Sequence, residues 1–435
     1  MTSPWKKNPL ALHVPVSNIG TRIIGTYSTN PGAGGADRTY MNQIALDQHF
    51  DAVRLVYANI NASGFLLGEV AIGTGNGGTA GSPDKYGNAA NNWIYASFGG
   101  VTPSTGSPLT VPATSGSAAD PDFYFSDWMN ISSITPTDGQ SLPYVWVRTY
   151  LPSTITAYTV CTFGDSGKGV DQWGDHAPGG RVWRNQWVSG NKATVTAGAV
   201  PAWSSQGDHV HSGLCAIQYL ARGRVINVMA VGDSIAQGLN ATAETGVTVQ
   251  GASAVQRACS TVSNINGIAV QYSGCGISAQ TIDQYYTRLA RMLPLFKPEV
   301  VVFSAGTPNN TSKTQAGMNT EASYTAKAIQ TCKDNGALPI ITTEIPRNSA
   351  DGVSYYNSTQ DGFRQAFNAQ LNGMANNGVL IADLDASLSA GGVPAAAAAG
   401  TMSAGGTWMH PNDVGYAAMA VPVTAQLSDI VGSNS

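Results

Sequence analysis

The sequence predicts two domains of different class: an all-β, jelly-roll-like sandwich over residues 1–223 and a three-layer α/β/α domain over residues 224–435. Three observations carry this reading. The first half holds short apolar runs broken by Gly, Pro, Asn and Ser, with little helical periodicity. The second half holds near-continuous apolar runs of strand length alternating with helical stretches, the pattern of a parallel sheet covered on both faces. The rhythm changes just after Arg222-Gly223-Arg224, and a chain of 435 residues exceeds the roughly 100–200 residues of one domain.

In the first half, residues 51–57 and 143–150 alternate with period two, as half-buried strands do. Residues 73–79 and 102–116 are Gly-, Ser- and Thr-rich loops. Many short strands with long polar connections point to a sandwich. Eight of the nine tryptophans lie in this half and read mainly as its core. Trp173, Trp183 and Trp187 fall in loops, where a flat apolar ring with a polar edge could stack on sugars.

In the second half, residues 225–231 form an apolar run expected to be buried on both faces. Similar runs follow at 268–272, 300–304, 338–343 and 379–384. Helical stretches lie between them near 252–263, 280–293, 321–334 and 360–375, and another spans 413–427. About five parallel strands result.

Composition excludes several classes. Asp, Glu, Lys and Arg make up 11 % of the chain, against roughly 25 % in typical globular proteins. The hydrophobic share of 43 % excludes a disordered chain. A net charge of −4 gives no basic surface for nucleic acid. No run approaches the roughly 18 apolar residues that span a bilayer, so no membrane partner is expected. Ser, Thr, Asn and Gly replace the missing charge, which suits a neutral surface meeting neutral polymers. The opening residues contain no apolar core of signal-peptide length. Cys161, Cys215, Cys259, Cys275 and Cys332 are too scattered for a disulfide framework or zinc cage; at most Cys259 and Cys275 would close a short loop.

Open α/β sheets place their sites at the C-terminal ends of the strands. The first apolar run ends in Gly232-Asp233-Ser234, a sharp turn that exposes a hydroxyl and offers backbone N–H groups to an oxyanion. Asp233 is expected to brace that turn. A second copy, Gly164-Asp165-Ser166, stands among turn residues and reads as a loop. The second run leads into a small-residue loop ending at Ala279, able to donate a backbone N–H. The third ends before Thr307-Pro308-Asn309-Asn310, where a side-chain amide can face the same oxyanion. His410 precedes the last helix, in His410-Pro411-Asn412-Asp413-Val414-Gly415-Tyr416, and supplies the base a serine nucleophile needs. Asp208-His209-Val210-His211 has metal-ligand spacing but no further ligand, and reads as a surface strand; Asp175-His176 reads as a turn.

Ser234, Ala279, Asn309 and His410 resemble, in order, the four blocks of the SGNH (GDSL-type) hydrolases over residues 225–430. The resemblance implies a flavodoxin-like sheet and ester hydrolysis through an acyl-serine, with no cofactor or metal. It assigns Ser234 and His410 as catalytic and Ser234, Ala279 and Asn309 to the oxyanion hole. Three departures stand out. Ala279 replaces the family's glycine, Pro308 is inserted in the third block, and Thr407 stands where the family has an aspartate three residues before the histidine. Three readings of Thr407 are open: a Ser–His dyad, with Thr407 or a backbone carbonyl orienting His410; a carboxylate from another loop, Asp383 or Asp385; or lost activity. A sandwich ahead of such a domain resembles carbohydrate O-acetylesterases, some of which use a dyad, and phage tail deacetylases. That resemblance implies an acetylated polysaccharide as substrate and an extracellular or virion-associated location. A lipid or small-ester esterase and a non-catalytic glycan-binding or virion-structural protein are the alternatives.

Overall fold

The computed structural model describes residues 17–23, 37–46, 48–59, 63–74, 93–114, 121–131, 144–153, 185–193, 204–205, 213–238, 253–263, 265–277, 279–310, 313–349, 356–391, 396–398, 400–402 and 410–434. They fall into two compact units, one over Asn18–Val225 and one from Ile226 onward.

The first unit is built of antiparallel strands, with no helix among its described residues. One sheet runs in the order Ser204–Ser205, Asn185–Ser189, Arg38–Ala45, Tyr144–Leu151, Glu69–Thr74, Ile94–Tyr95. In a second, Phe50–Asn59 pairs with Leu214–Ala221 on one side and with Asp122–Phe125 and Met129–Asn130 on the other. The alternating stretches of the sequence are the strands Phe50–Asn59 and Tyr144–Leu151. Inward-facing Val53, Leu55, Val70, Ile72, Val145 and Val147 are fully buried, and the Tyr57 hydroxyl meets Thr149 Oγ1 at 2.6 Å in the same interior.

The second unit follows the sequence rhythm closely. Its strands are β1 (Leu214–Gly232, of which the part from Ile226 belongs here), β2 (Ile268–Gly276), β3 (Val300–Ser304), β4 (Leu338–Thr342) and β5 (Leu380–Ala382). Its helices are α1 (Ser234–Gln237), α2 (Ala254–Val262), α3 (Ile282–Phe296), α4 (Gln315–Asp334), α5 (Ser358–Met374), α6 (Leu384–Leu388) and α7 (Asp413–Ser433). The strand order is β2-β1-β3-β4-β5, the flavodoxin-like 2-1-3-4-5 arrangement, with β1, β3, β4 and β5 parallel. Ile226, Val228 and Ala230 alternate onto the face that packs against α2 and α7, where Val255, Cys259, Met419 and Val423 complete the core. The opposite face is covered by α3 and α4.

Two details depart from the sequence reading. Arg222-Gly223-Arg224, where the rhythm changes, lies inside β1, which runs back to Leu214. Charged Arg222 and Arg224 interrupt the apolar run, while the strand continues through them. Cys259 and Cys275 are buried, form no disulfide and close no loop; Cys215 and Cys332 are likewise buried and outside any disulfide. Cys161 lies outside the described residues.

Candidate active site

The turn after β1 is held from its acidic residue. Asp233 caps α1, its Oδ1 accepting the Ile235 N–H at 2.9 Å, and its Oδ2 accepts the Thr307 hydroxyl at 2.6 Å. The carboxyl is buried; burial raises its pKa, opposed by the Arg347 charge and by these two hydrogen bonds. Ser234 opens the short helix α1 with its side chain 3 % exposed. Gly276, at the end of β2, lies against the backbone of Ala236 and Gln237 so closely that a Cβ there would overlap it. The turn is therefore clamped by a carboxylate on one side and by backbone contact on the other.

His410 comes from the loop before α7, and its Nε2 stands 2.8 Å from Ser234 Oγ in a buried setting. The residues after it build that loop. Pro411 bridges to Met402. Asn412 caps α7 through the Gly415 N–H (3.1 Å) and donates its amide to Gly400 O (2.8 Å) and Met402 O (3.1 Å). Asp413 pairs with Arg257 of α2 at 2.8 Å. Gly415 leaves room for the Thr401 carbonyl where a Cβ would collide, and Tyr416 is fully buried in the core. The motif thus reads physically as one chemical group carried on a scaffold of cap, ion pair, close approach and core ring.

Thr407 lies outside the described residues. The two acids considered as substitutes are engaged elsewhere. Asp383 caps α6 and accepts from Thr343 Oγ1 (2.9 Å) and Asn372 Nδ2 (2.8 Å). Asp385 pairs with Arg364 (2.7 Å) and accepts from Asn368 (3.1 Å). Neither is the partner of His410, because the arginine and the helix cap past β5 claim both carboxylates.

Ala279 sits at φ +63°, in the left-handed region that explains why glycine is usual there. An L-residue in that conformation costs about 1–2 kcal/mol. Asn309 is fixed by two bonds: its amide Nδ2 donates to Gln280 O at 3.0 Å and its N–H donates to Thr307 Oγ1 at 3.2 Å. Asn310 differs, its Oδ1 accepting the Ile282 N–H at 3.2 Å at the start of α3. Thr307 is thus a hub, linking Asp233 beside Ser234 to Asn309, which in turn is tied to Gln280 beside Ala279.

Sequence reasoning missed what supports these groups. Arg288 is fully buried on α3 and donates through Nη2 to Cys275 O (2.6 Å) and Gly232 O (3.4 Å) and through Nη1 to Gln280 Oε1. Burial pushes its pKa down to about 10. One guanidinium therefore ties the ends of β1 and β2 to the loop holding Ala279. Its signal was present: Ile282, Tyr285, Leu289 and Met292 mark the buried face of α3, and Arg288 shares it.

Behind Thr307 lies a buried ionic cluster. Lys313 Nζ contacts Glu321 (2.7 Å) and Glu344 (2.5 Å), and the Tyr356 hydroxyl donates to Glu344 (3.1 Å). Glu321 Oε1 also accepts the Thr307 N–H at 3.3 Å. Burial, then the neighbouring Glu344, push Glu321 up; burial also acts on Glu344, but Lys313 and Arg347 outweigh it and hold that carboxyl low. Among the described residues no group of three or more His, Cys, Asp or Glu side chains could hold a metal ion. His176, His209, His211, Ser166, Trp173 and Trp183 lie outside the described residues, as does the side chain of Trp187.

Residues 230–418 match the model of the GDSL-like Lipase/Acylhydrolase family. No curated protein matches the sequence. Among solved structures, a family two carbohydrate esterase from Cellvibrio japonicus is similar over 95 % of this chain and 96 % of its own, at 10 % identity and a TM-score of 0.34. A GDSL-like lipase from Bacteroides thetaiotaomicron VPI-5482 is similar over 46 % of this chain and 86 % of its own, at 19 % identity and a TM-score of 0.34. A catalytic mutant of an acetylxylan esterase from Geobacillus stearothermophilus is similar over 46 % of this chain and 94 % of its own, at 14 % identity and a TM-score of 0.33.

Proposed function

We propose that this GDSL-like domain, a carboxylic ester hydrolase, removes O-acetyl groups from a polysaccharide by way of an acetyl-serine. The observation that carries the reading is the 2.8 Å contact between Ser234 Oγ and His410 Nε2, buried at the end of the first strand of a domain that matches an acylhydrolase family.

His410 takes the Ser234 proton through Nε2 as Oγ attacks the acetyl carbonyl. The oxyanion is met by the N–H groups of Ser234 and Ala279 and by the Asn309 amide. That amide has two hydrogens; one goes to Gln280 O and fixes the group, leaving the other for the oxyanion. His410 then protonates the departing sugar oxygen, the ester bond breaks, and acetyl-serine remains. In the second half His410 takes a proton from water, whose oxygen attacks the acetyl carbon, and acetate leaves as Ser234 recovers its proton. The engagement of Asp383 and Asp385 by other partners supports a Ser–His dyad. Thr407 is the candidate group to orient His410, and Thr407→Val then lowers kcat with little change in KM.

The test is a paired screen. Acetate release from acetylated polysaccharides is measured alongside hydrolysis of nitrophenyl esters of increasing chain length. A preference for acetyl and release from at least one glycan are expected. A rising rate with chain length and no release from any glycan would mean a lipid or small-ester esterase instead.

A further inference from the structure

The sheet face of the first unit built on Phe50–Asn59 carries side chains that the ester chemistry does not use. Arg54 lies opposite Gln218 in the register, with Phe125 opposite Val56 two residues along and Trp128 just before the strand that pairs with Ala52 and Val53. The guanidinium carbon stands 4.7 Å from the Phe125 ring centroid and 5.0 Å from that of Trp128, so the group is stacked between two rings. Its Nε donates to Gln218 Oε1 at 2.7 Å, and Gln218 Nε2 is held by Thr21 Oγ1 at 3.1 Å. Among the described residues Arg54 has no carboxylate partner, and one of the five guanidinium N–H donors is engaged.

The acid nearest Trp128 in sequence is committed. Asp127 accepts from Ser97 Oγ (2.6 Å), Gly100 N (2.8 Å) and Gly99 N (3.1 Å). Those bonds, with Ser126 Oγ accepting the Leu55 N–H at 2.8 Å, fix the backbone that presents Trp128. That residue is nevertheless 41 % exposed. A large ring is thus kept rigid and open to solvent beside a cation whose outer donors have no acceptor among the described residues.

We propose that Arg54, Phe125 and Trp128 form a binding site for an acidic sugar residue of a glycan, the guanidinium fork taking its carboxylate and the Trp128 ring taking the sugar face. A planar fork matches a carboxylate through two parallel bonds. Stacking between rings strips part of the guanidinium hydration, which strengthens that pair. A polyphosphate backbone needs an array of cations, and a single arginine at this site on a chain of net charge −4 does not provide one. The inference shares with the proposed function the premise of a glycan partner, but the site and its test do not depend on ester cleavage.

Affinity electrophoresis of the full chain tests it, with polygalacturonate, hyaluronan, carboxyl-reduced polygalacturonate and single-stranded DNA cast in separate gels. Retardation by at least one acidic glycan, and none by the reduced polymer, is expected. Arg54→Gln and Trp128→Ala should each weaken that retardation about tenfold or more, with turnover of nitrophenyl acetate unchanged. Trp128→Phe, which keeps a ring, should retain most of it, and this comparison holds even if Arg54→Gln is poorly folded. No retardation by either acidic glycan, equal retardation by the reduced polymer or by DNA, or retardation that survives both variants would overturn the proposal. Failure of acetate release with glycan binding intact would sink only the esterase reading.

Discussion

Arg54 and Arg288 both lack a carboxylate partner among the described residues, yet the two units use them in opposite ways. Arg288 is fully buried and its Nη groups are committed to Cys275 O, Gly232 O and Gln280 Oε1. Arg54 is half-buried between two rings, with one bond to Gln218 and its remaining donors uncommitted. The first arrangement shapes a backbone; the second waits for an acceptor. A lone arginine is therefore interpreted by where its donors end, since charge alone would not separate the two. Substitutions around Arg288 should move stability and turnover together, and substitutions around Arg54 should move neither.

The largest effects belong to the pair that the second unit positions. Ser234→Ala and His410→Ala are each expected to lower kcat by about a thousandfold or more, with the double variant little worse than either, because the two act as one device. Steady-state rates on nitrophenyl acetate check this. Additive losses would mean that the two residues act separately. Next comes Arg288→Met, which takes this donor from the buried Cys275 carbonyl and Gln280 amide oxygen, at roughly 1–3 kcal/mol each, while Gly232 O keeps the Ile277 N–H at 3.1 Å. Urea unfolding should show a loss of several kcal/mol, and kcat should fall more than KM rises, with Arg288→Lys intermediate. A Met variant of full stability and activity would erase the contrast with Arg54.

Glu299 sharpens the same contrast by pH. Its buried carboxyl accepts from Asn227 N (2.7 Å) and Asn227 Nδ2 (2.8 Å), and burial pushes its pKa up to about 7. The unfolded chain loses that proton near pH 4.3, so the folded state holds it longer. Stability from this group is full below about pH 4.3 and falls as pH rises to about 7, by about 4 kcal/mol in all. Glu299→Gln keeps an oxygen for both Asn227 donors and should flatten that slope, which melting curves at pH 5 and pH 8 would register. An unchanged slope contradicts the assignment. Ala279→Gly has the smallest expected effect. Relief of the left-handed strain and the greater freedom of glycine when unfolded partly cancel, leaving a gain of at most about 1 kcal/mol with turnover retained.

Much of the second unit was legible because its signals are local. Continuous apolar runs marked all five strands, and Gly232-Asp233-Ser234 and His410–Tyr416 carry their geometry in adjacent residues. What was not legible depends on contacts between distant segments. Nothing in Thr307 alone says that its hydroxyl meets Asp233, and nothing near Glu321 says that it will share a lysine with Glu344. The left-handed turn at Ala279 hides behind an ordinary alanine. In the first unit, period-two alternation identified Phe50–Asn59 and Tyr144–Leu151, but Arg54 and Trp128 meet only through strand pairing. Of the tryptophans read as sugar-facing loop residues, Trp187 instead lies in the strand Asn185–Ser189, and Trp173 and Trp183 fall outside the described residues, whereas Trp128 stands beside a short strand.

The central claim is that Ser234, activated by His410, accepts the acetyl group. Mass analysis of the acid-quenched protein, taken during turnover of an acetylated substrate, tests it most directly. One acetyl group is expected on the peptide carrying Ser234, absent from Ser234→Ala and strongly reduced in His410→Ala. Continued turnover by Ser234→Ala, or an acetyl group found on a different residue, would contradict it.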